Sequence, residues 1–153
     1  MVNIEEALKK LQRYCAYQDR CHQEVRTKLL SLKVYGDDLE EVIVALIEDN
    51  FLNEERYARS FARGKFNIRK WGRNKIKQQL KQKNVSAYCI KKGLEEIEEA
   101  DYLKTLSDLV VKKEAERAYQ KLELYPRKQK LALYLINRGY ESHLVWKAVA
   151  NLK

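Results

Sequence analysis

Residues 76–97, "IKQQLKQKNVSAYCIKKGLEEI", carry apolar side chains at six spaced positions: Ile76, Leu80, Val85, Ile90, Leu94 and Ile97. The first two lie four apart and the last three are spaced by four and three, the stripe of amphipathic helices. The segment therefore reads as two helices joined by a turn. Its pattern recurs 51 residues earlier, without a gap, as Val25, Leu29, Val34, Leu39, Ile43 and Leu46. It recurs again 55 residues later as Leu131, Leu135, Tyr140, Val145, Val149 and Leu152. Three copies of one pattern define a repeat, and a repeat decides the architecture.

The turn inside each copy has its own signature. Asn84 and Gly139 occupy the position that closes the first helix, and these residue types best tolerate a left-handed backbone. The first copy has Lys33 there, and nearby Gly36 suggests a locally shifted turn with Asp38 as N-cap of the next helix. Ser86 takes that capping place in the second copy.

A third helix precedes each pair, over Asn3–Tyr17, Asn53–Lys65 and Asp101–Lys121. Asn53 followed by Glu54 and Glu55 is a strong helix start, because its side chain can cap free amides while the acids complement the positive helix end. Pro126 falls just before a helix, where its missing N–H is harmless. The expected fold is all-α, with about nine helices in three tandem three-helix repeats over residues 1–50, 51–99 and 100–153. Stacked repeats make an elongated or curved molecule; the alternative is one compact helical bundle.

Composition agrees with an all-helical chain. Its 153 residues include one Pro and five Gly, and strand signals are weak. No stretch approaches the roughly 18 apolar residues of a membrane span, and the N-terminal residues lack a signal peptide's apolar centre, so a cytoplasmic protein without membrane contact is expected. Cys15, Cys21 and Cys89 lack metal or redox spacing, even with His22 beside Cys21, and read as free thiols in a reducing compartment.

Charge is distributed unevenly. Acidic residues are absent from Arg56 to Leu94, and those thirty-nine positions hold thirteen Lys or Arg. The remainder has eighteen basic and twenty-two acidic residues, so this one segment accounts for more than the whole net charge of +9. Charge runs are usually solvated helix faces, but such faces mix signs, and this one forgoes every internal pair. A polyanion is the natural partner, nucleic acid above all. Trp71 and Phe66 fit either stacked bases or core anchors, and their place beside a helix junction favours the core. The helix "KLALYLINRGY" of the third copy is apolar on nearly every side, which suits packing more than a partner surface.

The chain contains no phosphate loop, no dinucleotide-binding glycine turn and no zinc-protease helix. His22 and His143 stand outside any arrangement of nucleophile, base and orienter. Neither catalysis nor a cofactor is expected.

Leu52, Asn53, Glu54, Glu55, Arg56, Tyr57, Ala58 and Phe61, followed by Gly72, Ile76, Leu80, Lys83, Asn84 and Val85, resemble the middle region of the RecX family of bacterial recombination regulators. Arg138, Gly139 and Tyr140 are similar to that family's closing segment. Asn84 replaces the usual glycine. Cys21 and His22 stand where a serine-containing entry is usual, with Glu24 and Val25 retained.

The resemblance implies three tandem three-helix repeats and a partner that charge could not name, the RecA nucleoprotein filament. It implies a protein lying in the filament groove, touching RecA subunits and the enclosed DNA, and suppressing ATP hydrolysis and strand exchange. Arg59, Arg63, Arg69, Lys70, Arg73, Lys75, Lys77 and Lys81 are then the residues expected to face DNA phosphate or acidic RecA surface. Contact with single- or double-stranded DNA would be independent of sequence, and the chain would act as a monomer. Two other classes fit the residues: a stand-alone helical DNA-binding protein, and a helical-repeat adaptor for an acidic protein.

Overall fold

A computed structural model describes residues 3–153, and all regular structure among them is helical. The order is α1 (Ile4–Tyr17), α2 (His22–Ser31), α3 (Gly36–Glu48), α4 (Glu54–Arg69), α5 (Arg73–Gln82), α6 (Ala87–Leu94), α7 (Glu99–Glu114), α8 (Arg117–Gln120), α9 (Leu124–Asn137) and α10 (Ser142–Ala150). Of the eighteen repeat positions, sixteen are buried; Leu94 and Leu152 are half-buried.

The three turns are built identically. Lys33, Asn84 and Gly139 have φ of 63°, 60° and 103°. Each is followed by an amide that bonds back to the helix: Val34 N–H to Leu29 O at 3.0 Å, Val85 to Leu80 at 3.1 Å and Tyr140 to Leu135 at 3.1 Å. The left-handed residue itself donates to Leu30, Lys81 or Ile136 O at 2.9, 3.0 and 2.9 Å. This is the Schellman motif, whose two bonds satisfy carbonyls that the helix end leaves free. Its customary apolar pair is also present, because the bonded residues are the second and third members of the repeat pattern.

Several expectations are corrected. The first-copy turn is not shifted: Lys33 adopts the left-handed conformation, Tyr35 is the N-cap of α3, and Asp38 lies in that helix's first turn. The fourth helix runs on to Arg69 instead of stopping at Lys65, because its connector holds no Gly or Pro until Gly72. The seventh ends at Glu114, and a separate short α8 follows. Arg127 accounts for that break by donating to Tyr119 O (3.1 Å), Leu122 O (2.9 Å) and Glu114 Oε1 (3.1 Å), which holds the chain out of helical register. Pro126 sits inside the first turn of α9, where an N–H has no helical acceptor. The described residues thus contain ten helices.

The chain forms two compact units. One comprises the chain through Phe61 with Gln79–Leu94. Its core is Ala7, Leu11 and Cys15 of α1 against Val25 and Leu29 of α2 and Leu39, Val42, Ile43 and Leu46 of α3. The other comprises Ala62–Gln78 and Glu95–Lys153. Its buried residues include Phe66, Ile76, Tyr102, Leu106, Val110, Leu131, Leu135, Tyr140, Val145 and Val149.

Candidate nucleic-acid interface

Helix α4 starts as its residues dictate: Asn53 Oδ1 accepts from Arg56 N–H at 2.9 Å. From there the basic segment divides unevenly: Arg56, Arg59, Arg63 and Arg73 take carboxylate partners inside the protein, while Arg69, Lys70, Lys77, Lys81 and Lys91 are exposed. In the first unit, Arg56 donates to Asp19 (2.8 Å), Asn50 O (3.2 Å) and Phe51 O (3.1 Å). Arg59 pairs with Glu55 one turn back at 3.1 Å. In the second unit Arg63 pairs with Glu96 at 2.7 Å. Acids excluded from the segment's sequence therefore reach it in space.

Arg73 is the most enclosed case. Its Nη1 donates to Glu141 at 3.0 Å and its Nη2 to Glu99, while its guanidinium lies 3.8 Å from the centre of the Tyr102 ring. Arg73 N–H donates to the Tyr102 hydroxyl at 3.0 Å, and that hydroxyl donates to Glu141. Burial, with the Glu141 carboxylate beside it, pushes the Tyr102 hydroxyl far above its ordinary range. Burial likewise pushes Tyr140 up to about 12. Phe66, Tyr102 and Tyr140 form an aromatic file with centroid separations of 5.8 and 5.1 Å.

The connector between α4 and α5 is fastened to the turn after α9. Gly72 N–H donates to Arg138 O at 2.8 Å, Asn74 N–H to Gly139 O at 2.9 Å, and the Tyr140 hydroxyl to Lys70 O at 2.9 Å. Arg138 Nη2 donates to Arg69 O. The backbones touch so closely that a Cβ on Gly72 would lie 2.2 Å from the Gly139 carbonyl carbon. Lys70 adopts φ 58°, a left-handed lysine that nothing in the sequence marks.

The structure gathers Arg69, Lys70, Arg73 and Lys75 around this fastened connector. Arg69 and Lys70 are exposed, and Lys75 Nζ lies 4.6 Å from the Trp71 ring centre with Lys65 Nζ 5.0 Å away. Trp71 is half-buried and Phe66 buried. Lys77 and Lys81, on α5, are exposed. Among the described residues no carboxylate lies within ion-pair distance of Arg69, Lys70, Lys75, Lys77 or Lys81. Sequence reasoning missed Tyr102, Glu99 and Glu141, because pairings across as many as 68 residues leave no local signal.

Residues 53–94, which span α4 to α6, match the second three-helix domain of RecX. Over 150 residues the chain is 29% identical to the regulatory protein RecX of Bacillus cytotoxicus, covering 98% of this chain and 55% of that protein. The likeness to RecX is therefore strongest over the middle helices and extends, at 29% identity, along nearly the whole chain. The regulatory protein RecX of Bacillus cereus is 27% identical over the same length. The chain thus spans about half the length of the curated relatives it matches. The RecX crystal structure from Lactobacillus salivarius superposes with a TM-score of 0.87 at 23% identity, covering 97% of this chain and 96% of that one. A second RecX crystal structure gives 0.85 at 22% identity, covering 97% and 73%. These likenesses show the fold, an all-helical array consistent with tandem three-helix repeats. Among the described residues no helix is long and apolar enough to cross a membrane, and no group of His, Cys, Asp or Glu is arranged to hold a metal ion.

Proposed function

We propose that this chain is a regulator of RecA that lies in the groove of the RecA–DNA filament and lowers ATP hydrolysis and strand exchange. The observation that carries the reading is the set of exposed, carboxylate-free cations, Arg69, Lys70, Lys77 and Lys81, within and around helices that match RecX. Cations left unneutralised by their own protein favour phosphate, and contacts to phosphate position a protein without reading sequence. Arg59, Arg63 and Arg73 would reach a partner by exchanging their present carboxylates for it, whereas Lys75 needs no such exchange. Repeats over 1–50, 51–99 and 100–153 give a monomer the means to touch more than one RecA subunit in the cytoplasm. The test is a titration of RecA's ATPase on single-stranded DNA. ATP hydrolysis should fall at or below one chain per RecA. Inhibition only when the chain coats the DNA would indicate a plain DNA binder, and no effect an adaptor; either outcome ends the reading.

A further inference from the structure

The second unit contains a cleft of about 300 Å³ where the end of α4 meets α7 and the end of α9. That volume is at the lower end of the roughly 300–1,000 Å³ usual for small-ligand sites. Five cations line it: Arg69 at the end of α4 and Lys70 just after it, Lys112 and Lys113 on α7, and Arg138 after α9. The single carboxylate, Glu116, is held by Lys113 at 3.1 Å. Arg69, Lys70 and Lys112 have no carboxylate at ion-pair distance among the described residues.

Arg138 is held in place, its Nη2 on Arg69 O and its guanidinium carbon 5.7 Å from the Tyr134 ring centre. Its Nε–H is buried without an acceptor among the described residues. The remaining walls are apolar: Ile68, 79% exposed, half-buried Leu109 and the Tyr134 ring.

A bare inorganic anion would need the cations but not the apolar walls. One nucleotide of a single strand needs both, since its base offers a flat face for an aromatic ring and its phosphates meet lysine and arginine. The geometry points to a seat for one nucleotide of single-stranded nucleic acid, with the base against Tyr134 and the flanking phosphates on Arg69, Lys70 and Lys112. This rests on the reading that the chain binds a nucleoprotein, and deepens it. It adds Lys112, Tyr134 and Arg138, which lie outside the acid-free segment.

The test uses the full chain without RecA and a fluorescent twelve-nucleotide oligo-dT, followed by anisotropy. Lys112→Glu, an exposed change, should weaken binding about tenfold while circular dichroism and melting stay as in wild type. An abasic strand with the same phosphates should bind wild type at least about fivefold more weakly, the low end of base-on-aromatic stacking. That preference should vanish in Tyr134→Leu. Equal affinity of wild type and Lys112→Glu, no binding by wild type, or equal affinity for abasic and base-bearing strands each overturns the seat. So does equal competition by inorganic phosphate or by polyglutamate at matched charge. Should Tyr134→Leu fail to fold, Lys112→Glu and the abasic strand decide the matter. RecA inhibition by wild type with an inert Lys112→Glu ends the seat and spares the regulator. Oligonucleotide binding lost in Lys112→Glu, with wild type inert on RecA, does the reverse.

Discussion

The turn at Leu29–Val34 and the turn at Leu135–Tyr140 have the same hydrogen bonds and the same left-handed closing conformation, yet they do different work. The first ends at an exposed lysine. The second ends at a buried glycine whose absent side chain admits another stretch of backbone. A repeated element thus supplies structure in one place, and in the other it also holds the connector that carries the candidate interface. Backbone form is common to the copies, whereas the side chains at the closing position and just after it decide what the turn can grip.

The comparison is broken most severely at the glycine contact. Gly72→Ala would place a methyl 2.2 Å from Gly139 backbone, and backbone cannot move aside as a flexible side chain can. A loss of about 3 kcal/mol or more is expected in urea unfolding, with disturbed Trp71 fluorescence; an unchanged midpoint would show the contact to be looser than described. Glu141→Ala removes the acceptor shared by Arg73 and Tyr102 and should cost about 2 kcal/mol, measured the same way.

Alkaline pH reads the same region more gently. Tyr140 titrates ordinarily near 10 and is pushed up to about 12 by burial, so its neutral form belongs to the folded protein. The stabilisation is complete below pH 10 and lost as pH rises through 12. Stability measured between pH 8 and 12 should fall over that window and fall less steeply in Tyr140→Phe. At the first-copy turn, Lys33→Gly should add about 0.5–1 kcal/mol, since a left-handed lysine is strained and glycine is not. The smallest change in stability, within about 0.5 kcal/mol, is expected for Lys77→Glu and Lys81→Glu. Each should nonetheless lower the slope of log affinity against log salt for DNA by about 1 if a phosphate contact is lost.

How much of this was legible follows from where each interaction lies along the chain. Helix existence, the paired helices of each repeat and the caps at Asn53 and Ser86 depend on residues within a few positions, and spacing reveals such features. Lys33, Asn50 and Lys70 show the limit. All three take φ near 60°, but lysine does not announce a left-handed turn, and Asn50, whose residue type permits one, lies outside the repeat pattern. The end of α7 was equally hidden, because Arg127 interrupts the helix from 13 residues beyond Glu114. At the interface the excess of charge was plain and its allocation was not. Nothing near Arg73 in sequence distinguishes it from Lys77, yet one is enclosed by Glu99, Glu141 and a tyrosine ring and the other is exposed.

The clamp from residues 138–141 onto the connector at 69–74 also imposes an order on synthesis. Arg73 leaves the ribosome 68 residues before its carboxylate partner Glu141. At translation rates of roughly 5–20 residues per second, the nascent connector waits about 3–14 s for that partner. Until Glu99 emerges, 26 residues after Arg73, the connector's cations are tethered only by their own helices, beside a ribosome whose RNA is itself a polyanion.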